Sequence, residues 1–223
     1  MSNFRLIFVL LHKEILQEFR SKEFLTLLFI FTLLVLIVFA FALGPLFERM
    51  EILTPAILWV TFSFAGVLGL NRSFLSEREE GALRGLRLTP VDPGIIYLGK
   101  TLSNFLFISI VEGIALPLFA VLFQFSFRRI SLLWILVLGT LGFSSLGTLL
   151  AGISSNSRRQ EILLPILLFP LLIPLLIAVV KGTHLLLMNE PFEEVLNWLK
   201  LLIVYDGVFL ILSFLTFGYV LEE

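Results

Sequence analysis

The sequence predicts an all-α, polytopic membrane protein with six transmembrane helices and an N-terminal amphipathic helix at the interface. Three observations carry that prediction. The mean hydropathy is +1.04 and 58% of the 223 residues are hydrophobic, whereas a soluble domain has about 45–50% apolar residues. The excess lies in six long apolar runs. Charged residues, 15% of the chain, fall mostly in the short segments between them. A bilayer imposes this arrangement, because a spanning segment has to satisfy its backbone polar groups internally and needs about 20 apolar residues to cross.

The first run, Phe24 to Leu43, has no charged residue and makes a helix about 30 Å long. Ala40-Phe41-Ala42 resembles a signal-peptidase site, but the apolar run is longer than a signal peptide's and a charged segment precedes it. It reads as a retained span. The remaining spans are Ile52–Leu70, Tyr97–Phe123, Ser131–Ile153, Ile162–Val180 and Leu201–Leu221. Ahead of the first, Phe4, Phe8, Leu11, Ile15 and Phe19 recur at helical spacing among charged residues, which predicts an interfacial helix over 1–23. Residues 71–96 form the long connector on that side, and residues 181–200 a loop on the other. Within the latter, Pro191 through Leu199 predicts a short helix that begins at proline, with Trp198 and Lys200 at headgroup level. The whole chain, 1–223, reads as one membrane domain.

Lysine and arginine set the orientation. With the N-terminus inside, 11 of the 16 basic residues fall on that side and five on the other, so both termini are expected in the cytoplasm. A net charge of −1 provides no basic surface for nucleic acid. The absence of cysteine excludes disulfides and thiolate metal sites, and no metal site is expected.

Gly94-Ile95-Ile96-Tyr97-Leu98-Gly99-Lys100-Thr101 matches the phosphate-binding pattern G-x-x-x-x-G-K-[ST], and Leu201 to Asp206 imitates a strand ending in a magnesium-binding aspartate. A genuine phosphate loop needs a buried strand feeding its first glycine. Here Pro90 and Pro93 stand in that feeding segment, where a central strand does not tolerate them. The pattern is refused, and Lys100 is expected to snorkel to the cytoplasmic headgroups.

The connector between spans two and three carries charges of alternating sign: Glu77, Arg78, Glu79, Glu80 and Arg84, with Gly81 and Leu83 among them. A helix from Ser73 to Ala82, with Ser76 and Glu79 as an alternative capping box, would present them to a partner. A plain solvated loop is the other reading. The pattern Glu-x-Glu-x-Gly-x-Leu, then Leu88-Thr89-Pro90 and Gly99-Lys100 entering a span, resembles the loop of ABC type-2 permeases. Further pieces narrow the likeness: Phe41-Ala42-Leu43-Gly44-Pro45, Ile57-Leu58-Trp59-Val60, Asn71-Arg72-Ser73-Phe74, Leu116-Pro117-Leu118 and Phe169-Pro170-Leu171-Leu172-Ile173-Pro174. Together they resemble the haem exporter protein B family, the permease family of the cytochrome c maturation system. Asn71 departs from the acidic residue expected there, and Gly85 and Arg87 vary the loop.

This resemblance implies a non-catalytic permease in a bacterial inner membrane, present as two copies with two copies of a separate ATPase that binds the ATP. Glu77, Arg78, Glu79, Glu80, Gly81, Leu83 and Arg84 would then form the ATPase-docking coupling helix. It further implies a haem-handling membrane subunit, a second small membrane subunit and a haem chaperone as partners, with ATP used for haem export or for release of the loaded chaperone. Haem is then a ligand expected of the complex; no cofactor is assigned to this chain. Two other readings stand beside it: an ABC type-2 exporter of lipid, glycan or drug, and a proton-coupled carrier that uses Glu112.

Glu112 falls near the middle of span three, where a carboxyl costs about 2.5–3.5 kcal/mol and has to face protein or a polar cavity. It reads either as a substrate-path or switching residue or as a structural acid bonded to a neighbouring helix. Thr140, Ser144, Thr148 and Gly152 form a small-residue stripe on span four, read first as packing within one subunit and second as a dimer face. Pro165, Pro170 and Pro174 predict a bent span five. His184, just outside span five, is the candidate haem ligand, with plain polar surface as the alternative.

Overall fold

The computed structural model describes residues 6–13, 22–43, 50–79, 91–123, 131–155, 157 and 159–222. These form seven helices, with no strand among the described residues. They are α1 (residues 6–13), α2 (Lys22–Leu43), α3 (Met50–Glu79), α4 (Pro93–Leu122), α5 (Ser131–Ser155), α6 (Gln160–Leu187) and α7 (Phe192–Glu222). The helices α2 to α7 are each long and apolar enough to cross a membrane.

Two helices form the centre of the bundle. The spans in α3 and α5 are each 67% buried, against 17–33% for the other four. Leu164, Leu168, Leu172 and Leu175 of α6 reach this centre at helical spacing and are almost wholly enclosed. Outward faces stay apolar: Phe41, Val121, Ile166, Val204, Ile211 and Leu215 are all more than 60% exposed. Water would penalise so much contiguous apolar surface, and lipid solvates it.

Local chemistry sets the helix ends. The Asp92 carboxylate accepts from the Gly94 backbone N–H at 2.7 Å, and Pro93 takes the first helical position, where its missing N–H does no harm. The C-terminus of α6 closes with a double backbone clasp: Glu190 N–H donates to Leu185 O and Asn189 N–H to Leu186 O. Asn189 adopts the left-handed conformation this clasp requires, with φ of 58°. Glu193 and Glu194 in the first turn of α7 favour a helix N-terminus there.

Several boundaries differ from expectation. The segment 181–200 is mostly helix, because α6 runs to Leu187 and α7 starts at Phe192. The expected short helix after Pro191 is the opening of one continuous 31-residue helix. No proline interrupts α7, and its apolar positions continue without a break into the span. Likewise, Ser73 does not start a new helix; α3 carries on through it to Glu79. Of the expected loop 71–96, residues 71–79 belong to α3 and 93–96 to α4. At the N-terminus, α1 packs Leu10 beside Gly99 of α4, while Phe8, on the expected apolar face of the interfacial helix, is 66% exposed. Phe4, Ile15 and Phe19 lie outside the described residues.

Candidate functional site

Two places in the bundle concentrate polar chemistry, one at the charged stem of α3 and one deeper among the spans. At the stem, α3 runs without a break to Glu79. Glu77, Arg78 and Glu79 are therefore the last three residues of the same continuous helix that contains span two. Glu80, Gly81, Leu83 and Arg84 lie outside the described residues.

Three helices brace α3 just before this segment. Leu70 packs where a side chain on Gly147 of α5 would sit, so the two helices approach closely. Gln160, at the start of α6, donates from Nε2 to the Asn71 carbonyl at 3.3 Å. From α4, Lys100 places Nζ 4.7 Å from the centroid of the buried Phe74 ring, within range of a cation–π attraction. Lys100 is only 3% exposed, which overturns the expected snorkelling to headgroups. It shares one face of α4 with Asn104 and Glu112, and that face points into the protein.

The apparent nucleotide motif has no nucleotide geometry. Gly94 to Thr101 are the opening turns of α4, with no strand before them among the described residues. A Cβ on Gly94 would meet the Phe214 ring, so helix packing fills the space a phosphate would need. Asp206, its supposed magnesium partner, lies within α7.

The second place surrounds Glu112, ten residues before the end of α4. Its carboxyl is buried and accepts a hydrogen bond from the Thr140 hydroxyl of α5 at 2.6 Å. Trp59, Ser63, Glu112, Thr140, Phe143 and Leu175 help line a cavity of about 10 Å³ beside it. That volume is close to the smallest space that holds one water, about 10–15 Å³. Trp59 is fixed there by an Nε1 hydrogen bond to Thr183 of α6 at 3.0 Å. The arrangement can hold a proton, a water or a switching hydrogen bond in the membrane interior. The small-residue stripe of α5 takes part directly. Thr140, Ser144 and Thr148 are buried, and Gly152 packs against Val220 and Phe217 of α7, so the stripe serves packing inside one chain.

His184 does not join either place. It sits in the last turn of α6, partly exposed, with its carbonyl accepting from Met188. Its Nδ1 is buried without a hydrogen-bond partner. Among the described residues no group of three His, Cys, Asp or Glu side chains comes together to hold a metal ion.

One buried acid is not among the candidates the sequence singles out. Asp206 of α7 is 4% exposed and both of its carboxyl oxygens lack a partner. It lies against α5 where a Cβ on Gly142 would collide with it and with Leu175. A lone aspartate in the middle of an apolar span is a visible signal, but the false nucleotide motif absorbs it.

Known proteins are similar to this sequence over most of its length. The family model described as CcmB protein matches residues 5–222. The chain is 32% identical over 192 residues to "Heme exporter protein B" of Pseudomonas aeruginosa, covering 86% of each chain. It is 33% identical over 150 residues to the protein of that name from Rhodobacter capsulatus, covering 66% of this chain and 68% of the relative. For the Haemophilus influenzae protein the identity is 28% over 177 residues, covering 78% of each. A match running almost the full length, on a chain with six spanning helices, makes this polypeptide a member of the CcmB family.

Proposed function

We propose that this chain is the permease subunit of an ABC complex that exports haem or releases a haem-loaded chaperone during c-type cytochrome maturation. It lies in a bacterial inner membrane with both termini cytoplasmic, and a separate subunit hydrolyses the ATP. Haem enters this reading through the names of the relatives. Two copies of the chain pair with two ATPase subunits, alongside a haem-handling membrane subunit and a second, small one. The observation that supports the reading most is the stem of α3. The helix of span two runs on without a break to Glu77, Arg78 and Glu79, while α4, α5 and α6 brace it at Leu70, Asn71 and Phe74. A segment built only to join two spans needs no such bracing. A motor docking on the charges from Glu77 to Arg84 gains a rigid handle on the bundle.

Charge reversal tests the docking. Glu79→Lys with Glu80→Lys replaces two attractive contacts with two repulsive ones. The expected outcome is that the variant reaches the membrane at wild-type levels, loses co-purification with the ATPase and fails to mature c-type cytochromes. Normal co-purification of the double variant would refute the assignment.

Glu112 is the residue proposed to carry transport-linked work inside the membrane, supported by its burial and by the adjoining cavity. Glu112→Gln keeps an oxygen to accept from Thr140 but removes the titratable group. It is expected to assemble normally and to lose maturation activity. Unchanged maturation would end the proposal.

A further inference from the structure

Lys100, Asn104, Ile108 and Glu112 are spaced four residues apart and so fall on one face of α4, and all four are buried. Opposite them, in the reverse direction along α5, come Gly152, Thr148, Ser144 and Thr140. Two rungs cross between the helices. Asn104 donates from Nδ2 to Thr148 Oγ1 at 2.9 Å, and Thr140 donates to Glu112 at 2.6 Å. Between the rungs Ser144 is fully buried and its hydroxyl has no partner. At the lower end Lys100 lies over the Phe74 ring, whose edge is 3.6 Å from the point a Cβ on Gly152 would occupy. This polar seam runs about 18 Å along α4, at 1.5 Å per residue, from the stem of α3 to the Glu112 cavity.

We infer that Lys100 is a positioning residue: through Phe74 it ties the stem of α3 to the α4–α5 seam, and so to the Glu112–Thr140 contact. The inference rests on the docking reading above and adds the route inward from it. Apolar helices in lipid have little to fix their register, whereas hydrogen bonds between them do so. With its rungs at Asn104 and Glu112, α4 follows α5 as one unit, and Lys100 is where that unit meets the docking helix. The aliphatic stem of the lysine supplies packing and its charged head holds the ring. Methionine keeps the first and loses the charge, with every contact the charge makes.

The test uses the complete complex, reconstituted in lipid nanodiscs with its ATPase. Trp134 and Trp198 are replaced by phenylalanine, so that Trp59, which lines the Glu112 cavity, is the sole tryptophan of this chain. Lys100→Met is expected to co-purify with the ATPase and to hydrolyse ATP within about twofold of wild type. It should lose the ATP-dependent change in Trp59 emission and about tenfold in cytochrome maturation, the scale of a broken coupling contact. Lys100→Arg keeps a cation over the ring and should recover both to within about threefold. A Lys100→Met complex that retains the emission change and normal maturation overturns the inference, as does loss of assembly that arginine does not repair. Should methionine prevent assembly, Phe74→Leu removes only the ring, and normal coupling in that variant overturns it equally. If the wild-type chain fails to bind the ATPase at all, the docking reading falls and takes this inference with it. If wild type binds and Lys100→Met is indistinguishable from it, only the role of Lys100 falls.

Discussion

Glu112 and Asp206 are both carboxyls buried in the same bundle, and they approach α5 two residues apart, at Thr140 and Gly142. Two residues turn a helix by about 200°, so the acids stand on nearly opposite sides of it. Glu112 has a hydroxyl donor and an adjoining cavity. Asp206 has neither donor nor partner, and it faces a glycine, where a Cβ would press on its carboxyl and on Leu175. In hydrocarbon a satisfied acid and an orphaned one are different objects. The first is a built site, and the second holds a cost that a change of packing can release.

The largest expected effect comes from filling the space that seats Asp206. Gly142→Ala drives a methyl into Leu175 and the carboxyl, and should destabilise the detergent-solubilised protein by about 1–3 kcal/mol, the usual penalty of overpacking. A wild-type thermal midpoint in that variant would mean α5 and α7 are not packed this closely. Next comes Thr140→Val, which removes the donor to Glu112 while keeping the shape. Stranding the acid should cost about 1–2 kcal/mol, the lower part of the range for an unsatisfied buried polar group. In a double-mutant cycle with Glu112→Leu most of that cost should vanish, since no acid then remains to be stranded. Strict additivity would show that the hydrogen bond contributes nothing. The smallest effect is expected of Asp206→Asn, which has no native partner to lose. Its stability should stay within about 0.5 kcal/mol of wild type or rise. A penalty as large as that of Thr140→Val would erase the distinction between the two acids.

The spans and Glu112 are legible in the sequence because hydropathy averages over whole turns, and a single acid in an apolar run stands out against it. What hydropathy cannot see is direction around the helix axis. Lys100 reads as a boundary residue by its position in the run. It is interior because it shares a face with Asn104 and Glu112, and that face points at α5. Asp206 is hidden differently, by a pattern match that gives it a spurious role before its own burial is considered. The segment 181–200 reads as a loop because polarity marks where lipid ends, not where a helix ends. The Asn189 clasp and the acidic start of α7 set those ends instead. The stem of α3 reads as a separate helix for the same reason: Ser73 and Ser76 offer caps, but an uninterrupted helix outside them already satisfies the backbone.

The hydrogen bond between Trp59 and Thr183 has a mechanical consequence. Together with the bond from Gln160 to Asn71 it pins α6 to α3 at two well-separated levels, like a splint lashed at both ends. A splinted pair cannot shear at one lashing while the other stays still. A displacement of α3 at either level would therefore carry α6 with it, without passing through any loop.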